Sequence, residues 1–296
     1  MIVRKQIAIL FSILIFLPAL SHGAEKSRQH FDLKAAFLVD MDSGRVLYQQ
    51  NADRRIQPAS LSKILTLYLV NEDIRDGKVK LSDMVQISAR AVSTRGSKML
   101  YEEGKEVSFE DLIRGIAIIS ANDAAVSVAE HLGGSVDKFV ARMNAKAKEI
   151  GMTQSYFVNP HGLPDSHQKS TAYDIFILSR EYLRQFPEAL NLHSMQYFTY
   201  NSIIHHNRNA LLWEYPDVDG LKTGYVRVAG FHIVATAKRG DKRLIAVVLG
   251  AKNPQIRSRQ TTKILDYGFQ QLGNKHNDSI IRAGLPNQGT YPLPSI

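Results

Sequence analysis

Strand-like segments lie at both ends of this sequence and helix-like segments fill the stretch between them. A chain so ordered has few ways to cover its apolar faces. Near the start, AAFLVDMDSGRVLYQQ (residues 35–50) sets two short runs around an Asp42-Ser43-Gly44 break, the pattern of a β-hairpin. Near the end, GLKTGYV is followed by GFHIVATAKRGDKRLIAVVLGA, two alternating runs around Arg239-Gly240-Asp241, a second hairpin. From about residue 71 to 185 the pattern is mostly helical. The simplest solution is an α/β (α+β) fold: one antiparallel five-stranded sheet, two strands early and three late, flanked by helices with an inserted helical lobe. A cleft where sheet meets lobe is the natural place for a site.

The helices can be placed within that frame. Pro58-Ala59-Ser60 leads into LSKILTLYLV, apolar on nearly every face and so a buried helix. FEDLIRGIAIIS and DAAVSVAEHLGG are the clearest helices of the middle, which LSDMVQIS and the segment around Gly96 interrupt. Gly133-Gly134 ends one helix and Ser135 caps the next, VDKFVARMNAKAKEIG. Residues 159–164, NPHGLP, form a loop, and IRSRQTTKILDYGFQQL reads as a closing helix.

The two ends are set apart. Arg4 and Lys5 precede an uncharged apolar run over residues 7–20, followed by the small residues Ser21 and Gly23. That is the pattern of a secretory signal peptide, residues 1–23, and the run is shorter than the roughly 20 residues of a spanning helix. The protein is therefore expected in the periplasm. The body expected at 29–272 is followed by a short tail, 273–296, too short for a domain and too broken by proline and glycine for an amphipathic membrane anchor.

Composition removes several chemistries. The chain has no cysteine, which excludes disulfides, a thiol nucleophile, Cys-type zinc sites and a lipoprotein anchor. Residues 1–23 hold two of the 37 basic residues and no acid, so their removal takes the net charge from +9 to +7. Lys and Arg are scattered singly, without the aromatic interleaving of a nucleic-acid surface, so no nucleic acid is expected. There is no Gly-x-Ser-x-Gly elbow, Walker loop, dinucleotide fingerprint or His-Glu-x-x-His, and the adjacent His205 and His206 diverge on any regular element. Neither a metal nor a cofactor is expected.

What remains is serine with lysine. Ser60 and Lys63 stand three apart at the start of the apolar helix, hence on one face. A serine hydroxyl needs a neighbouring base, and lysine serves only when burial or a second cation depresses its pKa. Leu61, Ile64, Leu65 and Leu67 supply partial burial, and a helix start offers N–H groups to an oxyanion. Ser-x-x-Lys also occurs at Ser135 and Ser166, so on this segment alone a capping serine and a solvent-reaching lysine fit equally well. Two tripeptides break the tie. Ser120-Ala121-Asn122, the one Ser-x-Asn in the chain, falls at the end of an apolar run, and Lys222-Thr223-Gly224, also unique, lies on a strand. Glycine inside a strand marks close approach of another backbone or a ligand.

Ser-x-x-Lys, Ser-x-Asn and Lys-Thr-Gly in this order resemble the motifs of the serine-type D-Ala-D-Ala carboxypeptidases, the low-molecular-mass penicillin-binding proteins. PASLSK, SANDA, NPHGLPD followed by TAYD, and DGLKTGY all read like family segments, over about residues 29–272. The resemblance implies a fold like that of DD-peptidases and β-lactamases. It further implies Ser60 as the acylated nucleophile, Lys63 as its base and Ser120 as a proton relay. Asn122 would bind the substrate amide carbonyl, and Lys222 would depress Lys63. Thr223, Gly224 and the strand backbone would hold the substrate as an added strand, with the N–H groups of Ser60 and Tyr225 as oxyanion hole. Arg257, with Arg259 as fallback, would hold the terminal carboxylate. The implied partners are peptidoglycan stem peptides ending in D-Ala-D-Ala, and β-lactams as covalent inhibitors. Val226 departs from the family's usual threonine. Three alternatives stay open: a crosslink-cleaving D,D-endopeptidase, a class A-type β-lactamase, whose Glu-x-x-Leu-Asn is missing here, and a non-catalytic wall-binding module.

Overall fold

The computed structural model describes residues 30–273. The expected signal peptide and, past Gly273, the expected tail lie outside the described residues. In chain order the elements are β1 (Ala35–Asp40), β2 (Val46–Gln50), α1 (Ser62–Arg75), β3 (Met84–Gln86), α2 (Ala89–Ser93), β4 (Glu106–Ser108), α3 (Phe109–Arg114), α4 (Asn122–Gly133), α5 (Val136–Glu149) and α6 (Ala172–Gln185). There follow α7 (Ala189–His193), β5 (Tyr197–Tyr200), β6 (Ile203–His206), α8 (Leu211–Glu214), β7 (Val218–Val226), β8 (Gly230–Arg239), β9 (Lys242–Ala251) and α9 (Pro254–Gly273).

The main sheet has the order β2-β1-β9-β8-β7, antiparallel throughout. The early hairpin joins the late strands through β1 against β9, Ala35 opposite Leu249 and Asp40 opposite Leu244. Side chains alternate across a strand. Ala35, Phe37 and Val39 therefore enter a core with α1 and α6, while Ala36 and Leu38 enter a second core with Ile264, Leu265 and Phe269 of α9. Both faces are covered, which is why all six residues of β1 are buried. β7 is left as an edge strand.

α1 runs between sheet and lobe, and its residues from Ser62 to Val70 are all buried. In the lobe, Ala124, Ala125, Val128 and Ala129 of α4 keep small or branched apolar groups inside. Side-chain caps start the helices where the sequence supplies an oxygen: Ser88, Ser108, Ser135 and Thr171 accept from the N–H of Ala91, Asp111, Lys138 and Asp174.

Two details differ from the helix-and-strand pattern read above. FEDLIRGIAIIS is not one α-helix: α3 widens into a π turn over Gly115–Ile119 and stops at Ser120, whose backbone is left-handed (φ 67°, ψ 36°). Two short ribbons, β3–β4 and β5–β6, also stand apart from the main sheet.

Candidate active site

Ser60 sits in a 3-10 turn, Ala59–Leu61, that leads directly into α1. Ala59 takes a positive φ of 51°, a conformation that costs a side chain roughly 1–2 kcal/mol and is kept by what packs around it. Backbone presses on this turn from two sides. At Gly162 (φ 87°) a Cβ would collide with the Ala59 carbonyl, and at Gly224 on β7 it would sit 3.1 Å from the Ser60 nitrogen. Only glycine permits the approach at Gly162, and at Gly224 a side chain would crowd the turn.

One helical turn on, Lys63 is fully buried. Its Nζ lies 2.7 Å from Asn122 Oδ1, 2.7 Å from the His161 carbonyl and 3.1 Å from Ser60 Oγ. None of these partners is a carboxylate. Burial holds its pKa well below the ordinary lysine value, the Lys222 charge lowers it further, and Asp123 partly offsets both.

The lobe supplies the facing wall. Asn122 Nδ2 donates to the Arg95 carbonyl at 2.6 Å, which fixes the amide with Oδ1 toward Lys63 and leaves its second N–H unassigned. The next residue, Asp123, gathers the loop: its carboxylate accepts from the Met99 and Leu100 N–H groups. Burial raises the Asp123 pKa against those bonds. Ser120 Oγ is buried and has no hydrogen-bond partner among the described residues.

The NPHGLP loop forms the floor. Gly162 N–H donates to Asn159 Oδ1 at 2.6 Å, and Thr66 Oγ1 on α1 donates to the Pro160 carbonyl at 2.7 Å. The loop thereby aims the His161 carbonyl at Lys63. The His161 ring is neutral, its pKa lowered to about 3 by burial and then by Lys63 and Arg90.

β7 closes the remaining side. Lys222 is 2% exposed, and its Nζ donates to the Thr223 carbonyl at 3.1 Å. Its pKa falls to about 7 through burial and then the Arg208 and Arg257 charges. Arg257, in the first turn of α9, is buried with an unpartnered Nε, whereas Arg259 is exposed. Burial lowers the Arg257 pKa and Glu214 partly restores it. Thr223 and Gly224 are buried, and Tyr225 is exposed with its ring stacked on Phe231 at 4.2 Å. Val226 is buried.

Ser60, Lys63 and Asn122 are thus in direct contact, Gly224 abuts the Ser60 backbone, and Lys222 and Arg257 share a cationic corner. Sequence reasoning missed the His161 carbonyl, because a backbone acceptor leaves no side-chain signature. It also missed Arg208, which stands in no motif.

The D-alanyl-D-alanine carboxypeptidase family of peptidases matches residues 22–253. The Bacillus subtilis D-alanyl-D-alanine carboxypeptidase DacF is 41% identical over 255 residues, covering 84% of this chain and 65% of the relative. Across the first three curated relatives, the chain spans 60–65% of their length. Among solved structures, penicillin-binding protein 5 from Haemophilus influenzae superposes with a TM-score of 0.80 at 38% identity, covering 82% of this chain and 72% of that one. Penicillin-binding protein D2 from Listeria monocytogenes, solved in an ampicillin-bound form, gives 0.75 at 32% identity, covering 81% and 98%.

Proposed function

The chain belongs to the D-alanyl-D-alanine carboxypeptidase family of serine peptidases, and from that premise we propose that it removes the terminal D-alanine from peptidoglycan stem peptides through an acyl-Ser60 intermediate. Export through residues 1–23 puts the catalytic body, residues 29–272, in the periplasm.

The observation that carries the reading is the setting of Lys63. A neutral amine has two N–H bonds and one lone pair. The Asn122 Oδ1 and His161 carbonyl oxygens only accept, and at 2.7 Å they take both N–H bonds. The lone pair then faces Ser60 Oγ at 3.1 Å, ready to accept its proton. As Ser60 attacks the penultimate carbonyl, the oxyanion forms beside the N–H groups of Ser60 and Tyr225, the latter adjoining the glycine that packs on the Ser60 turn. Lys222, Thr223 and Arg257 receive the terminal carboxylate, and the free N–H of Asn122 receives the peptide carbonyl. Ser120 Oγ, buried and unpartnered, passes the proton from Lys63 to the leaving amine. Water then hydrolyses the ester.

A corner of cations fits a substrate that carries a carboxylate beside the scissile bond. β-Lactams acylate Ser60 by the same attack. Incubation with a pentapeptide ending in D-Ala-D-Ala and, separately, with crosslinked muropeptides tests this. Free D-alanine from the pentapeptide alone supports the reading, and cleavage of crosslinks alone refutes it. Rapid turnover of penicillin would instead indicate a β-lactamase.

A further inference from the structure

The residues just before Lys222 are gripped from outside the sheet. His193, the last residue of α7, is 1% exposed, with Nδ1 3.0 Å from the Leu221 carbonyl and Nε2 3.2 Å from the Tyr182 hydroxyl. A carbonyl only accepts, so Nδ1 carries the proton and Nε2 accepts from Tyr182. The Tyr182 oxygen accepts in turn from Asn71 Nδ2 at 3.3 Å, and Asn71 Nδ2 also donates to the Leu67 carbonyl at 2.8 Å. These bonds run from α1, one turn past Lys63, through α6 and α7 to β7. Beside them, Asn209 Nδ2 donates to the Gly220 carbonyl at 3.2 Å, and Asn207 Nδ2 donates to the Met195 carbonyl at 2.9 Å. Arg208 stands between these two asparagines.

Lys222 needs such a grip. Among the described residues β7 is the edge of the sheet, with no second ladder to steady its outer side. The charged groups that bear on Lys222 are cations, Arg208 and Arg257, and like charges push apart. Neutral hydrogen bonds have to hold what electrostatics would open. His193 stays neutral over the working pH range, its pKa lowered to about 3 by burial and then by Lys222.

We propose that His193 is a positioning residue for Lys222: its bonds to the Leu221 carbonyl and to Tyr182 lock the start of the Lys-Thr-Gly strand against α1, the helix that carries Lys63 and follows the Ser60 turn. The proposal rests on the carboxypeptidase reading for its consequence, because a displaced Lys222 no longer meets the substrate carboxylate or lowers the Lys63 pKa. A core-filling role is the competing explanation, and side-chain chemistry separates the two. In H193L the volume is kept and both bonds are lost. In H193N an amide nitrogen replaces Nδ1 and keeps the Leu221 bond. Y182F leaves that bond and removes only the support behind it.

The test is the second-order rate of acylation by a labelled penicillin, with thermal unfolding of each variant alongside. H193L is expected to fall about tenfold, as for a lost positioning contact, H193N to stay within about threefold of wild type, and Y182F to lie between them. H193L acylating like wild type, or H193N no better than H193L, overturns the proposal. Wild type that takes no label would refute the Ser60 reading instead. NMR of isotope-labelled lysine then decides on His193: a Lys222 Nζ signal shifted in H193L and not in H193N supports it, and one unmoved in both refutes it.

Discussion

Lys63 and Lys222 are both buried lysines, the charge of the second bearing on the first, yet their surroundings differ in kind. Lys63 meets three uncharged oxygens, those of Asn122, the His161 carbonyl and Ser60, the last being the proposed nucleophile. Lys222 bonds one carbonyl and stands among cations. Burial lowers both pKa values, but what completes each site is opposite: a proton for Lys63 and an anion for Lys222. On the proposed mechanism the same residue type serves as a base on the helix and as an anion receptor on the strand, and the base responds to the receptor's charge. Burial lowers the Lys63 pKa most and the charge on Lys222 adds to it, so on the proposed mechanism the acceptor of the substrate carboxylate also tunes the base.

Mutations should break this pairing unequally. K63A is expected to cost the most, about 10²–10⁴-fold in acylation rate, as for loss of a general base; stopped-flow with a chromogenic cephalosporin measures it. K222M should act mainly on substrate capture, raising the KM for pentapeptide roughly 10- to 100-fold, the range for a hydrogen bond to a charged group. A change confined to kcat would contradict that role. R257Q should raise KM about tenfold while the exposed Arg259 tolerates the same change, which steady-state D-alanine release can compare directly.

The smallest expected effect is on stability. His161, His193 and His232 are buried neutral, with pKa values lowered to about 3, 3 and 4, by burial first in each case. His232 receives the Gly250 N–H at Nδ1 and donates from Nε2 to the Gln57 carbonyl, just ahead of Ser60. An unfolded histidine binds a proton near pH 6.5. Between that pH and about 3 the unfolded chain holds more protons, so stability falls as pH falls. The lowered pKa values of Lys63 and Lys222 already make stability fall as pH drops below about 10.5, and the three histidines should add a further decline of the unfolding midpoint below about pH 6.5; a midpoint unchanged from there down to pH 4 would contradict three buried neutral rings.

The sheet was legible because β1, β7, β8 and β9 carry apolar runs broken by clear turn residues, and the pairing of the two ends followed from the need to cover them. The β5–β6 ribbon was not legible: Ile203 and Ile204 are both exposed, so no alternation marks a buried face. Of the residues that motif order singled out, Ser60 and Asn122 lie in hydrogen-bond contact with Lys63, while the roles of Ser120, Lys222 and Arg257 are those the family resemblance implies. The complete burial of Lys63 was not, because it comes from the Asn159–Leu163 loop and α4 folding over α1 rather than from its own neighbours. The left-handed turn at Ser120 was also hidden, since its sequence continues a helical pattern.

The interdependence of the two lysines is tested most directly by the pH profile of Ser60 acylation in wild type and K222M. Besides Lys222, the groups bearing on Lys63 are Asp123, which raises its pKa, and the neutral His161. Wild-type acylation should rise with pH through a limb well below 10.5 and fall again as Lys222, its pKa lowered to about 7, loses its proton; in K222M the rising limb should move to higher pH. A wild-type profile still climbing beyond about pH 10, or a limb that stays in place when Lys222 is removed, would contradict the account.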